Sequence, residues 1–124
     1  MIIEILGIFV PGPKVHELGK ALVSLVGPIQ VQPGCLSCRL FQGWPNPEEL
    51  HMEARWDNQE NLMRHLQSDL YKRLLLLMEL SVSPPVLEFL TVTQFRGLDL
   101  VEEARPVGPM ERGFCCSPNI YFCR

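Results

Sequence analysis

The pattern of apolar and polar positions divides the first thirty residues into a strand and a helix. Residues 2–10 are apolar at every position except Glu4, which predicts a central strand covered on both faces. Pro11, Gly12 and Pro13 end it. Apolar residues then recur at spacings of three or four, which predicts an amphipathic helix that closes at Gly27 and Pro28. The apolar positions of this helix are Val15, Leu18, Leu22, Leu25 and Val26.

Two more strands follow a turn at residues 32–34. Residues 35–44 predict the second strand, and the two prolines in residues 45–48 require a loop, because proline lacks an amide hydrogen. Residues 50–57 alternate strictly between apolar and polar side chains, so they predict a third strand that shows one face to the core.

A second helical region and a last strand complete the pattern. Asp57 and Glu60 predict a capping box, Ser68 predicts a restart of the helix, and apolar spacing continues to about residue 81. Residues 83–85 end the helix, and residues 86–96 return to a strand pattern. The order β-α-β-β-α-β predicts an α+β, ferredoxin-like domain with an antiparallel sheet and both helices on one face.

This arrangement leaves the other face of the sheet without helices. Because strand one is apolar on both faces, we expect two copies to pack sheet to sheet as a symmetric homodimer, a dimeric α/β barrel. The predicted domain covers residues 1–97. Residues 98–124 form a C-terminal extension with an apolar, aromatic end, which we expect to dock on the domain or on the partner subunit.

Composition narrows the possible environments and partners. The 124 residues predict one domain, and a net charge of −3 without a Lys/Arg cluster argues against nucleic acid and membrane surfaces. The N-terminus lacks the basic region of a signal peptide, and no apolar run approaches bilayer length. We therefore expect a cytoplasmic protein with mostly reduced thiols at Cys35, Cys38, Cys115, Cys116 and Cys123.

Known cofactor and catalytic motifs are missing from the sequence. The glycines do not form a G-x-G-x-x-G or a phosphate-loop pattern, which argues against a nucleotide cofactor, and no nucleophile elbow or zinc-binding helix supports a hydrolase. Cys35 and Cys38 have C-x-x-C spacing inside a predicted strand, where their thiols should point to opposite faces and serve as small core residues. A zinc or dithiol module that adds the three C-terminal cysteines is the alternative.

Three side chains at the third strand and the second helix are candidates for chemistry. His65 lies beside the apolar positions Leu62 and Leu66, where it is either a hydrogen-bonded core residue or a proton acceptor. Tyr71 can present a phenol to the same space, and Trp56 is either core or the wall of a cavity. The polar face of the third strand, with His51, Glu53 and Arg55, predicts an ion-pair ladder.

These residues resemble a known family. Pro33-Gly34-Cys35 before a strand, Trp56, the run Leu62-x-x-His65-x-x-Ser68-x-x-Tyr71 and a strand after Pro85 are similar to the antibiotic biosynthesis monooxygenase domain of the dimeric α/β-barrel superfamily, over about residues 1–97. The resemblance implies oxygenation of a small aromatic, quinol-like or polyketide-like, by O2 in an apolar pocket without a bound cofactor or metal. It implies that His65 and Tyr71 are catalytic and that Trp56, Leu62 and Leu66 bind the substrate.

The chain departs from the family pattern at two places. Many members carry a glutamate two residues before the tryptophan, where this chain has Ala54. The haem-degrading branch has a tryptophan at the position of His65 and a haem-ligating histidine at the position of Leu75, so the resemblance does not extend to haem degradation. A non-catalytic dimeric domain that binds small molecules is therefore the alternative function.

Overall fold

A four-stranded antiparallel sheet organises the protein, for which the computed structural model describes residues 1–106. The strands lie in the order β2-β3-β1-β4, and every neighbouring pair is antiparallel. This confirms the predicted α+β, ferredoxin-like fold. The strands are β1 (Ile2–Phe9), β2 (Cys35–Gln42), β3 (Glu49–Trp56) and β4 (Val86–Thr91); the helices between them are α1 (Val15–Gln30), α2 (Gln59–Leu66) and α3 (Asp69–Met78).

The chain divides into two compact units. The first is Met1–Val92, and the second begins at Thr93. The second unit contains a helix that the sequence pattern did not predict, α4 (Leu98–Ala104). Asp99 accepts a hydrogen bond from the Gly97 backbone at the start of α4, and Arg96 pairs with Asp99. The docking of residues 98–124 stays a prediction, and residues 107–124 lie outside the described residues.

The two faces of the sheet differ in what they meet. On the covered face, which is turned toward α1, α2 and α3, alternate residues of β1 and β3 are buried and form most of the core. The open face is the opposite one. It carries Ile3 and Ile5 of β1, Ser37, Arg39 and Phe41 of β2, His51, Glu53 and Arg55 of β3, and Val86, Glu88 and Leu90 of β4.

Several predicted ends of elements were wrong, and two of them have a clear physical reason. Helix α1 continues past Gly27 to Gln30 with Pro28 inside it, because a proline in the last turn removes a single hydrogen bond while the fully buried Ile29 holds that turn against the core. Strand β4 ends at Thr91 rather than at residue 96, because its pairing with β1 runs out at Ile2.

Helix caps were predicted correctly at one helix and wrongly at the other. Asn58, not Asp57, caps α2, since its Oδ1 accepts the Asn61 backbone N–H at 2.9 Å. The Asp57 carboxylate instead accepts the side-chain amide of Asn61 at 2.9 Å. Ser68 caps α3 as predicted, with Oγ accepting the Tyr71 backbone N–H at 3.2 Å. In residues 1–106, no helix has the length and apolar character that crossing a membrane requires.

Candidate functional site

A buried carboxylate lies at the centre of the covered face. Glu4 of β1 is 3% exposed and stands directly across from Ala54 of β3. Its Oε1 accepts a hydrogen bond from Trp56 Nε1 at 3.3 Å and lies 3.1 Å from His65 Nε2. Burial of a carboxylate costs free energy unless the group is paired. These two contacts offset that cost for Glu4. Position 54, where the resemblance led us to expect a glutamate, is an alanine, but Glu4 on the neighbouring strand β1 supplies a carboxylate.

His65 is held at both ring nitrogens. It lies in the last turn of α2, and its side chain is 1% exposed. Nε2 faces Glu4, and Nδ1 lies 2.7 Å from Gln32 Oε1. The pair with Glu4 spans the space between helix and sheet, so the histidine predicted from the helical pattern is a buried, hydrogen-bonded group.

Gln32 reaches His65 because of the turn between α1 and β2. Gly34 has a φ of 81°, a backbone conformation that residues other than glycine rarely adopt. A Cβ atom there would also lie 2.4 Å from Asp57 Oδ1 and from Asn61 Nδ2. The Pro33-Gly34 turn therefore packs against Asp57 and the start of α2, and Gln32, just before that turn, reaches His65.

Two aromatic rings enclose the imidazole. Trp56, at the end of β3, is fully buried and stacks on His65 with ring centroids 4.4 Å apart. Tyr71, in the first turn of α3, meets His65 edge to face at 5.0 Å. Ser68 fixes this geometry, because its Oγ donates to the His65 carbonyl at 2.7 Å and accepts the Tyr71 N–H. The structure thus brings Trp56, His65 and Tyr71 together.

The other two candidate substrate-binding residues flank His65 on α2. Leu62 is buried, one turn before His65, and Leu66 is half-buried and packs against the core. Both side chains are apolar, so they give no indication of which ligand would bind. Their contact with a substrate stays a prediction.

The negative charge of Glu4 opposes further ionisation around it. The pKa of Tyr71 is raised to about 12, first by burial and then by the nearby Glu4 carboxylate. Burial, the Cys35 thiol and Glu4 raise the pKa of Cys38 to about 12. The pKa of Cys35 is also raised, mainly by burial. At neutral pH these three groups are therefore uncharged.

The prediction that Cys35 and Cys38 point to opposite faces was wrong. A β-bulge between Cys35 and Ser37 pairs Cys35 with Trp56 and Cys38 with Ala54, so both cysteines belong to the covered face. Their raised pKa values make reactive thiolates unfavourable. Both are free thiols, and Cys115, Cys116 and Cys123 lie outside the described residues.

Two surface cavities lie away from the cluster. One, of about 760 Å³, is lined by residues of α1, β2 and the β2–β3 loop, and the other, of about 560 Å³, lies at the end of α3 and the loop before β4. Neither lining includes Trp56, His65 or Tyr71. Within residues 1–106, no group of three or more His, Cys, Asp and Glu side chains is arranged to hold a metal ion.

Comparison of the fold with solved structures identifies close architectural relatives. A crystal structure of an antibiotic biosynthesis monooxygenase is 18% identical, has a TM-score of 0.67, and the alignment covers 76% of this chain and 100% of that one. A conserved protein from Methanosarcina mazei is 26% identical, with a TM-score of 0.65 and coverage of 73% and 91%. A protein from Pseudomonas aeruginosa is 22% identical, with a TM-score of 0.65 and coverage of 75% and 94%.

Comparison of the sequence with family models gives the assignment. No curated protein matches the chain significantly. The model of the antibiotic biosynthesis monooxygenase family matches residues 1–75, which include Glu4, Trp56, His65 and Tyr71. By that match, the chain belongs to the antibiotic biosynthesis monooxygenase family.

Proposed function

We propose that this protein is a monooxygenase that oxidises a small phenol, quinol-like or polyketide-like, with O2 and without a bound cofactor. The observation that carries the proposal is the buried pair of Glu4 and His65, 3.1 Å apart and enclosed by the rings of Trp56 and Tyr71. Within a family of monooxygenases, such a pair is suited to removing a proton from a substrate in a dry environment.

The proposed reaction begins with loss of the phenolic proton. The phenolate passes one electron to O2, and the aryloxyl radical and superoxide combine at a ring carbon that bears hydrogen. The resulting peroxide loses water and leaves a carbonyl, so a phenol and O2 become a quinone and water. The protein has to accept the proton, stabilise the developing oxyanion and exclude bulk water.

The candidate residues take distinct parts in this proposal. His65 with Glu4 forms the unit that takes up the proton. Tyr71 supports an oxyanion, because its raised pKa keeps the phenol protonated and able to donate a hydrogen bond. Trp56, with Leu62 and Leu66, supplies the apolar wall against which an aromatic ring would pack.

Oxygen consumption tests the proposal. Purified protein is mixed with a hydroxynaphthalene, and O2 uptake is followed with an electrode while the product is analysed by mass spectrometry. We expect uptake above the uncatalysed rate and a product that has gained one oxygen atom and lost two hydrogen atoms. Wild-type protein that leaves uptake at the uncatalysed rate across a panel of phenols and quinols contradicts the proposal.

We also propose that the protein is a homodimer joined through the open face. That face carries exposed apolar side chains on β2 and β4, with Phe41 at 41%, Val86 at 37% and Leu90 at 45% exposed. Ile3 and Ile5 add apolar area between them. Sedimentation should give twice the chain mass of 14.1 kDa. Ile5→Lys should give a folded monomer, and an unchanged dimer in this variant would place the interface elsewhere.

A non-catalytic domain that binds small molecules is the second candidate function. It is supported by the closed packing of the cluster, since Trp56 is 0%, His65 2% and Glu4 3% exposed. Saturable binding of a phenol without any O2 consumption would favour this function over the first.

A further inference from the structure

The two oxygens of the Glu4 carboxylate have different surroundings. Oε1 receives the Trp56 indole N–H and faces His65 Nε2. Oε2 is buried and has no hydrogen-bond partner among the described residues. A buried carboxylate oxygen ordinarily has a donor, and an exception calls for a functional explanation. One oxygen thus anchors the group and the other is left to meet a donor from elsewhere.

His65 has no nitrogen left for a substrate. If Gln32 turns its amide oxygen toward Nδ1, at 2.7 Å, Nδ1–H donates to that oxygen and Nε2 faces Glu4 Oε1. If the Gln32 amide is turned over, its NH2 donates to Nδ1, and Nε2–H donates to Glu4. Both orientations leave each ring nitrogen engaged by a protein group.

We propose, on the basis of the proposed function, that Glu4 is a catalytic residue whose Oε2 accepts the proton of a phenolic substrate, while His65 is a positioning residue that holds Oε1. In this step the phenolic O–H bond breaks, an O–H bond forms on Oε2, and the electron pair of the broken bond stays on the phenolate oxygen. The step needs no oxidant. Transfer of an electron from the phenolate to O2 follows it.

The other titratable groups around Glu4 do not compete for this proton. His65 faces Glu4 from α2, Tyr71 from α3, and Cys35 and Cys38 from β2. The tyrosine and both thiols stay protonated at neutral pH, since burial and the carboxylate raise their pKa values. A protonated phenol or thiol is a donor rather than an acceptor, so Glu4 is the remaining acceptor. The Tyr71 hydroxyl interacts with the same carboxylate, and among the described residues no donor lies within hydrogen-bond distance of Oε2.

The substitution Glu4→Gln tests the assignment, because it keeps the shape of the side chain and removes its ability to take a proton. We expect O2 uptake to fall by a factor of about 100 or more, in line with the usual effect of losing a general base. His65→Gln should cause a smaller loss and shift the pH profile, because a carboxylate held less firmly still accepts protons. Glu60→Gln, the same change at a side chain that is 78% exposed, is the matched control.

A second readout does not depend on turnover. Below the solution pKa of 4-nitrophenol, the neutral phenol and its phenolate are distinguished by absorption. We expect wild-type protein to bind it as the phenolate and Glu4→Gln to bind it as the neutral phenol. Infrared difference spectra of the wild-type protein should show a new protonated-carboxyl band as the phenolate forms, a measurement that stands even where a variant fails to fold.

Each outcome separates the two proposals. Phenolate formation in Glu4→Gln equal to wild type, its loss in His65→Gln alone, or phenolate without a protonated-carboxyl band overturns the role of Glu4 and leaves the monooxygenase proposal standing. Phenolate formation that requires Glu4 but is never followed by O2 uptake supports Glu4 and overturns the monooxygenase. Wild-type protein that neither ionises the phenol nor consumes O2 overturns both.

Discussion

Each face of the sheet carries a carboxylate with a nitrogen-bearing side chain at nearly the same distance. On the covered face, His65 Nε2 and Glu4 Oε1 are 3.1 Å apart, and on the open face, Arg55 Nε and Glu53 Oε1 are 3.2 Å apart. The covered side chains are 1% and 4% exposed, whereas the open ones are 34% and 28% exposed. Water screens the open pair, so that pair contributes little to stability. In the covered pair, each group has lost its water and depends on the other to replace it. The surroundings, rather than the distance, decide what each pair does.

The covered pair also organises more of the chain. It joins β1 to α2, and through Gln32 and Trp56 it reaches the end of α1 and the end of β3. The open pair lies two residues apart on a single strand. Loss of the covered pair therefore disturbs contacts between several elements, while loss of the open pair is local.

The largest expected effect comes from breaking the covered pair. His65→Leu leaves the Glu4 carboxylate buried without its partner, and we expect the free energy of unfolding to fall by about 3 to 5 kcal/mol at neutral pH. Urea denaturation followed by circular dichroism measures the change.

The double variant provides the control for this prediction. Glu4→Leu together with His65→Leu replaces both polar groups by apolar ones, which is often neutral or stabilising at buried pairs. We expect it to recover most of the loss. A single His65→Leu variant that loses less than about 1 kcal/mol would mean that the covered pair behaves like an exposed one.

An intermediate effect is expected at Trp56. Trp56→Phe keeps an aromatic ring but removes the N–H that donates to Glu4 Oε1 at 3.3 Å. Leaving a buried acceptor short of a donor costs about 1 to 3 kcal/mol, so thermal unfolding should occur at a lower temperature. Phe41→Leu, at an open-face ring that is 41% exposed, is the control and should cost less. Equal losses at the two positions would remove the contrast between the faces.

The difference between the faces was only partly predictable. Strict alternation over residues 50–57 places Trp56 on the covered face, and the helical spacing places His65 and Tyr71 near it. Periodicity identifies a face but not a partner. Glu4 meets Trp56 across 52 positions of sequence, and Gln32 meets His65 across 33. Those contacts follow from strand register and from the Gly34 turn.

The bulge in β2 shows the same limit of a sequence pattern. One extra residue between Cys35 and Ser37 turns Cys35 to the covered face, and this reversal leaves no trace in the apolar pattern of the strand. Glu4, the single charged residue of β1, was a sequence signal for the site that the periodicity argument did not take up. A carboxylate in a strand that is otherwise apolar on both faces indicates a buried partner.

Alkaline pH should destabilise the covered face. The pKa values of Cys38 and Tyr71 are raised from 9.0 and 10.0 to about 12 in the folded protein. The unfolded chain therefore binds fewer protons between about pH 9 and about pH 12, and the free energy of unfolding falls as pH rises through that window. Cys38→Ala with Tyr71→Phe should give a shallower fall in melting temperature. An equal slope in both proteins would place the titrating groups elsewhere.

The smallest effect is expected on the open face, where it also tests what covers that face. Glu53→Gln removes the charge that pairs with Arg55, and in dilute, monomeric protein we expect a loss of less than about 1 kcal/mol. If two copies pack through this face, as proposed, the pair is buried in the dimer and its loss costs more there. The difference between wild type and Glu53→Gln should then grow with protein concentration, because association stabilises only the folded chain. A difference that stays small at every concentration would mean that water reaches this pair in solution, and the open face would then differ from the covered one in the assembled protein as well.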